Sequence, residues 1–158
     1  MFILIFYYKV LGSVLVGETG PDRFQMFFKR LLTISGSPYR YISHYKRLSW
    51  PDARAFCRNA SGGDLASIHN MVEHLKIMQE INWKEKVWIG GYREKIGNKI
   101  FWSWSDKTLV DYPLGDIKPY NCMTMSMDDI FKSDNCQTPH YCMCKVDTSG
   151  RVVKFSNI

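Results

Sequence analysis

Five cysteines in a chain of 158 residues constrain the fold more strongly than any other feature of the sequence. Cys122, Cys136, Cys142 and Cys144 lie close together near the carboxyl end, whereas Cys57 lies alone far upstream. Such a cysteine density in one small domain is typical of a disulfide framework. Four cysteines can pair in three ways, and the sequence alone does not choose among them. The segment around Cys57 is predicted to be a helix and the other four cysteines lie among short strand-like runs, so we expect a disulfide framework whose connectivity is open at this point.

Local patterns predict two helices among short strands. Ser49 caps the first helix, because its hydroxyl can accept hydrogen bonds from free amides of the first turn, and the segment 61–63 ends it. Asn70 caps the second helix, where Glu73 predicts a capping box. Strands are predicted at 39–45, 87–92 and 100–104, with a polar turn at 93–98. The predicted fold class is therefore α+β, with two helices packed on antiparallel sheets.

Two apolar stripes are expected to pack in the core. The stripe on the second helix has helical spacing and consists of Val72, Leu75, Met78 and Ile81. The stripe on the strand alternates and consists of Ile100, Trp102 and Trp104. We interpret the tryptophans as packing between sheets rather than as a platform for stacking a ligand.

Three separated motifs are similar to those of the C-type lectin-like domain and occur in the order of that family. The first runs through 48–57 and 63–70, and the second through 88–91 and 101–106. The third is a cysteine triplet with spacings of 14 and 8 positions, made of Cys122, Cys136 and Cys144. The chain resembles a C-type lectin-like domain protein, in particular small secreted fish C-type lectins and type II antifreeze proteins. The resemblance implies the disulfide pairs Cys57–Cys144 and Cys122–Cys136.

The resemblance covers residues 38–146, which we predict to be one C-type lectin-like domain. An unpatterned segment, 1–37, precedes the domain, and a tail, 147–158, follows it. The apolar start of the chain is interrupted by Lys9 and is too short to span a bilayer. It is either a weak signal peptide or a misassigned first exon. Because of the cysteines, and of the N-glycosylation acceptor at Asn59, we expect a secreted, extracellular protein without a membrane span.

The charge distribution does not favour nucleic-acid binding. The net charge is +6, but residues 1–60 hold nine basic residues against three acidic ones, and residues 61–158 hold twelve of each. Proteins that bind nucleic acid have basic side chains clustered on one face with stacking aromatic rings. Residues 61–158 show no such cluster, so we predict no nucleic-acid partner and at most weak binding to heparin.

The loop that carries the ligand site in the resembled family departs from the calcium-binding pattern. Sugar-binding relatives present a Glu-Pro-Asn or Gln-Pro-Asp triplet there, but the segment 112–122 has none and is several residues shorter. Tyr120 stands where the resemblance implies an acid, and Lys132 and Ser133 replace an asparagine and an aspartate. Calcium takes six to eight oxygen ligands, often from carboxylates. We therefore expect no cofactor and, specifically, no calcium.

Candidate ligand-contacting residues lie in this loop and on the strand beside it. They are Asp116, Lys118, Tyr120, Asn121 and Lys132. A different cation site would have to use other acids, namely Asp116, Asp128, Asp129 and Asp134, which we interpret as solvated loop residues. The four histidines fall on separate elements without a zinc motif, so no metal site is predicted.

Cys142 and Cys144 are two residues apart, and on a strand such residues point to the same face. If Cys144 turns inward to form a disulfide, Cys142 is also buried and behaves as a small apolar group. An intermolecular bridge or an alternative pairing of Cys142 stays open. A nucleophilic enzyme needs a base and an orienting group beside its serine or cysteine. The sequence has no motif of that kind, and we predict that the protein is not an enzyme.

Two functions follow from these observations. The departures in the ligand loop favour a calcium-independent recognition module that binds a protein or another non-sugar ligand. The resemblance alone favours the alternative, a carbohydrate-binding C-type lectin. Neither the ligand nor the oligomeric state follows from the sequence.

Overall fold

The computed structural model describes residues 38–81, 85–115, 117, 120–127 and 131–149. All of them belong to one compact unit. The predictions for the segment 1–37, and those for Asp116, Lys118, Asp128 and Asp129, concern residues outside the described part of the chain. None of the described helices is long and apolar enough to cross a membrane.

The described residues contain two helices and seven strands. The helices are α1 (Trp50–Ser61) and α2 (Met71–Glu80). The strands are β1 (Tyr39–Leu48), β2 (Asp64–Leu65), β3 (Val87–Ile96), β4 (Lys99–Trp104), β5 (Cys122–Met125), β6 (Lys132–Asp134) and β7 (His140–Asp147).

The strands form one mixed sheet in the order β1-β7-β3-β5-β6, with β2 paired to β7 and β4 paired to β3. Only the contact between β3 and β7 is parallel among the described strand pairs. The first and last strands are neighbours over most of their length, from Tyr39 opposite Asp147 to Leu48 opposite His140. The sheet therefore brings the two ends of the described domain together.

Both helices begin at the predicted caps. The Ser49 hydroxyl accepts a hydrogen bond from the amide of Asp52, and Asn70 Oδ1 accepts one from the amide of Glu73 at 3.0 Å. The predicted return bond of the capping box differs, because Glu73 Oε2 accepts from the amide of His69 instead of from Asn70. Glu73 is drawn inward by a buried lysine, as described below, and this places its carboxylate under the segment before the helix.

The core consists of two apolar clusters, one on each face of the sheet. Met143 and Ile89 belong to the first cluster, whereas Trp88 and Cys142 belong to the second. Because successive strand residues point to opposite faces, β3 and β7 contribute to both clusters. Gly90 allows this packing at the centre of the sheet, since a Cβ atom there would lie 2.8 Å from the carbonyl oxygen of Leu65.

Two disulfides connect distant elements. Cys57–Cys144 joins α1 to β7 across 87 positions, and Cys122–Cys136 joins β5 to the turn after β6 across 14 positions. The Cα atoms are 5.4 Å and 5.2 Å apart, within the usual range for disulfides. These are the pairs that the resemblance implies.

The predicted polar turn at 93–98 is wrong, because residues up to Ile96 continue strand β3. The chain reverses only at Gly97 and Asn98, and Ile96 lies opposite Lys99. The polar side chains of this segment are used across the hairpin, since Glu94 accepts a hydrogen bond from the Ser103 hydroxyl at 2.9 Å. Cross-strand pairs of this kind stabilise a strand that its composition alone does not predict.

The two predicted stripes pack only in part. Trp104 is buried and Trp102 is half-buried, but Ile100 at the outer end of the strand is exposed. On α2 the buried side chains are Glu73, His74 and Ile77, whereas Val72 and Leu75 of the predicted stripe are half-buried. The other two members of the stripe do pack, since Ile81 is buried and Met78 lies against the same core cluster. The helix turns Glu73 and His74 inward because each has a hydrogen-bonding partner there, Lys145 for Glu73 and Tyr112 for His74.

Candidate functional site

The segment 105–121 connects β4 to β5, and we call it the ligand loop. Its first residues are fixed to the body of the domain by side chains on both sides. Asp106 Oδ2 accepts a hydrogen bond from the Ser67 hydroxyl at 2.5 Å, and Asp106 Oδ1 accepts two from Thr108. Lys107 adopts a left-handed backbone conformation and donates to the Tyr92 hydroxyl at 2.8 Å. The ligand loop thus leaves the sheet in a defined direction.

A buried ion pair lies beneath the start of the ligand loop. Lys145 Nζ is 3.1 Å from Glu73 Oε2, and each side chain is only 7% exposed. The same ammonium donates to the Ser67 hydroxyl at 3.2 Å and lies 4.1 Å from the centre of the Tyr39 ring. Burying two charges is costly unless they pair and their remaining hydrogen-bonding capacity is satisfied. These contacts satisfy much of that capacity.

His69 links this buried group to the middle of the ligand loop. Its Nε2 atom lies 3.2 Å from the Ser67 hydroxyl, and its Nδ1 atom lies 2.7 Å from Asp111 Oδ1. The hydrogen bond with His69 holds the pKa of Asp111 below its ordinary value. Asp111 itself is exposed, so the contact attaches a surface residue of the loop to the interior.

Hydrogen bonds connect Ser67 to His69 and His69 to Asp111, as in the Ser-His-Asp triad of hydrolases, but the arrangement does not suit catalysis. Ser67 has no exposed surface, so a substrate carbonyl has no path to its hydroxyl. That hydroxyl already donates to Asp106 and accepts from Lys145. The three residues therefore act as a structural connection.

The middle of the ligand loop packs through Tyr112. Its hydroxyl lies 3.0 Å from His74 Nδ1, and its ring contacts that of Phe131. Burial lowers the pKa of His74 to about 4, since the uncharged ring is favoured away from water. Further along, Ile117 is buried and its carbonyl accepts a hydrogen bond from Arg93 at 3.0 Å.

The end of the ligand loop is attached to β6. The backbone amide of Tyr120 donates to the Ser133 hydroxyl at 3.1 Å, and the carbonyl of Asn121 accepts from the amide of Arg93 at 2.8 Å. The side chains of Tyr120, Asn121 and Lys132 are exposed at the surface around this junction. Tyr120 and Asn121 are neighbours at the end of the loop. Lys132, on β6, lies opposite Thr124, and its side chain points to the face opposite to that of Ser133.

The residues at the positions implied for calcium do not fit the ion. Tyr120 presents a phenol and Lys132 an ammonium group, and the Ser133 hydroxyl already accepts a backbone hydrogen bond. Calcium requires six to eight oxygens, and a nearby cation opposes its binding. At these three positions the donor set is therefore unsuited to a calcium site.

Asp134 has another role in the structure. Its Oδ2 atom lies 2.9 Å from His140 Nε2, and its Oδ1 atom accepts hydrogen bonds from the amide of Asn135 and the hydroxyl of Thr138. Burial works to raise the pKa of Asp134, but the hydrogen bonds with His140 and Asn135 outweigh it and hold the pKa below its ordinary value. Asp134 therefore stabilises the turn between β6 and β7.

Cys142 is a free and fully buried thiol. Its sulfur lies within 4.8 Å of the sulfurs of Cys57 and Cys144, but those two are joined in a disulfide and do not offer thiolate ligands. Burial raises the pKa of the Cys142 thiol to about 11. Asn59, the candidate for glycosylation, lies exposed near the end of α1.

The sequence interpretation missed the group formed by Lys145, Glu73 and His69. A signal was present for Lys145, since alternation along β7 places it on the same face as the core residue Met143. No comparable signal pointed to His69 and Asp111, which are 42 positions apart.

Comparison with known proteins shows which family the chain is similar to. The pattern of the family described as Lectin C-type domain matches residues 46–146. A type-2 ice-structuring protein of Brachyopsis segaliensis is 35% identical over 112 residues. This match covers 66% of the chain and 64% of the relative, so the chain spans less than two thirds of that protein's length.

Two solved structures illustrate the similarity of fold. A calcium-independent type II antifreeze protein superposes with a TM-score of 0.61 and 33% identity, covering 70% of this chain and 88% of that one. Human lithostathine superposes with a TM-score of 0.63 and 25% identity, covering 72% and 95% of the two chains. Both similarities cover most of the solved chains.

Proposed function

The chain belongs to the Lectin C-type domain family, and from that premise we propose that it is a recognition module which binds a protein or another non-sugar ligand without calcium. Family membership gives a recognition fold rather than an enzyme fold. The calcium-independent mode is our inference for this chain. It is supported by the residues at the end of the ligand loop.

The hydrogen bond from the Tyr120 amide to the Ser133 hydroxyl is the observation that carries this proposal. It joins the end of the ligand loop directly to β6, where a calcium-binding domain needs side-chain oxygens aimed at the ion. Lys132, the residue before Ser133 on β6, adds an exposed positive charge to that strand. We infer that the end of the loop is held by the protein's own hydrogen bonds and not by an ion.

The exposed side chains at this junction suit a polar macromolecular surface. Tyr120 offers a rigid aromatic ring with a hydroxyl, Asn121 an amide and Lys132 a cation. Tyrosine is enriched in protein interfaces because it buries a large area at a small entropic cost. One solved relative is described as a calcium-independent type II antifreeze protein, which supports a calcium-independent mode for this chain by analogy.

We infer an extracellular location from the same structure. Two disulfides are retained in oxidising compartments and are rare in the cytosol. Asn59 is exposed, as a glycosylation acceptor must be. The alternative function, carbohydrate binding, would place a sugar at the same junction.

An array of glycans and extracellular proteins, probed with and without EDTA, tests the proposal. We expect a protein or other non-sugar ligand whose binding is unchanged by EDTA. Tyr120→Ala and Lys132→Ala should each weaken that binding, while Lys46→Ala, a change at an exposed lysine of β1, should not. Binding to glycans alone, abolished by EDTA, would contradict the proposal and support the alternative.

A further inference from the structure

The hairpin of β3 and β4 carries a second surface, apart from the ligand loop junction. In the described sheet, β4 pairs only with β3, so the hairpin extends from the sheet as a two-stranded ribbon. All seven residues of its outer end, 95–101, are exposed. We call this segment the hairpin tip. Gly97 has a φ of 60°, a conformation that favours glycine and lets the strands reverse in two residues.

The hairpin tip is unusually apolar for an exposed segment. Ile96 is 61% exposed, Ile100 63% and Phe101 46%. Single apolar side chains on a surface are common and need no explanation. Three within six residues, at the end of a projecting ribbon, form a cluster of the kind that marks a site of interaction.

The register places an apolar residue and a lysine together on each face of the ribbon. Lys95 lies opposite Ile100, and Ile96 lies opposite Lys99. Because directly opposed residues share a face and successive residues alternate, the two pairs lie on opposite faces. Phe101 adds its ring to the face of Ile96.

Both lysines of the hairpin tip keep their charge available. Among the described residues, neither Lys95 nor Lys99 forms an ion pair. The nearest acid in the sequence, Glu94, is engaged by Ser103 and lies 4.0 Å from Lys107. The tip therefore carries a charge of +2 beside its apolar side chains.

We propose that the hairpin tip inserts into the interface of an anionic lipid bilayer. The apolar side chains enter the boundary between headgroups and acyl chains, and the two lysines extend their stems along it to reach anionic headgroups. A protein surface would cover one face of the ribbon and leave the other apolar face in water. A bilayer surrounds an inserted tip, so it accounts for the apolar and cationic pair on both faces.

Sedimentation of the full chain with lipid vesicles tests this. We expect binding to vesicles of equal parts phosphatidylcholine and phosphatidylserine, and little binding to phosphatidylcholine alone. Lys95→Gln with Lys99→Gln should weaken binding to the anionic vesicles about thirtyfold. Ile96→Ser with Ile100→Ser should weaken it at least about tenfold, because the apolar contribution is lost while the charge remains.

Leu109→Ser is the matched control, since Leu109 is also exposed but lies in the ligand loop. This control should bind the anionic vesicles as the unchanged protein does. All variants should keep the thermal midpoint of the unchanged protein. Failure of the unchanged protein to bind anionic vesicles would overturn the proposal. Undiminished binding by the isoleucine variant would also overturn it. So would binding of the protein to polyglutamate but not to the anionic vesicles, which would indicate an acidic soluble partner.

Discussion

Lys145 Nζ on the last strand lies 3.1 Å from Glu73 Oε2 on α2, and the pair is buried beneath the start of the ligand loop. Through Ser67 and His69 it is connected to Asp106 and Asp111 in that loop. The ligand loop is therefore supported by a polar group inside the domain.

Breaking this ion pair from either side should destabilise the domain strongly. Lys145→Met leaves the carboxylate of Glu73 buried without its cation, and Glu73→Gln leaves the ammonium of Lys145 without its anion. We expect each change to lower the free energy of unfolding by about 3–5 kcal/mol, measured by denaturant titration. The double variant Lys145→Met with Glu73→Gln should cost less than the sum of the two single changes, because the two residues interact directly. Single variants within about 0.5 kcal/mol of the original, as for ordinary surface changes, would show that the pair contributes little.

Stability should fall in mild acid because of His74. Its pKa in the folded protein is lowered to about 4 from an ordinary value of 6.5, so the unfolded chain binds the proton more tightly. The stabilisation is fully present above pH 6.5 and is lost as the pH falls towards 4, by up to about 3 kcal/mol.

The pH effect can be separated from that of other groups with His74→Gln, which keeps a hydrogen-bonding side chain beside Tyr112. The difference in unfolding free energy between the original protein and this variant should shrink as the pH falls from 7 to 4. A difference that stays constant over this interval would show that His74 does not titrate as its burial requires.

Loss of the longer disulfide should severely impair folding. In the chain-entropy account, closing the 87-position loop of Cys57–Cys144 contributes about 4–5 kcal/mol, and the 14-position loop of Cys122–Cys136 about 3 kcal/mol. Cys57→Ser should therefore reduce secretion and the melting temperature more than Cys136→Ser does. Secretion of Cys57→Ser at full yield with an unchanged melting temperature would contradict the framework.

Cys142 should be inert in the folded protein. Its thiol is buried and its pKa is raised to about 11, so little reactive thiolate is present at neutral pH. We expect iodoacetamide to alkylate Cys142 only after denaturation, as followed by mass spectrometry. Rapid alkylation of the native protein, or a disulfide-linked dimer that Cys142→Ser abolishes, would instead support the alternative of an intermolecular bridge.

The elements best predicted from the sequence are those with a local chemical cause. Ser49 and Asn70 cap helices because their own side chains accept the first free amides, and no distant residue is needed. The buried face of α2 is predicted only in part, because periodicity ranks Glu73 as a surface residue. Its burial depends on Lys145, 72 positions away, which only the fold brings near.

The ligand loop also has features that the sequence predicts and features that only the fold creates. The substitutions at Tyr120, Lys132 and Ser133 are visible in the sequence once the resemblance is known. The hydrogen bond between Tyr120 and Ser133 is not, because it depends on how the end of the loop meets β6. Asp116 and Lys118, the other predicted ligand contacts, lie outside the described residues and stay predictions.

The response of the thermal midpoint to calcium tests the central proposal most directly. A ligand that binds only the folded state adds about 2.7 kcal/mol of stability at one hundred times its dissociation constant, so even moderate binding is visible. We predict that millimolar calcium leaves the midpoint equal to that in EDTA, and that galactose and mannose columns do not retain the protein. A clear rise of the midpoint with calcium, together with retention that free sugar reverses, would contradict the proposal and identify an ordinary sugar-binding lectin.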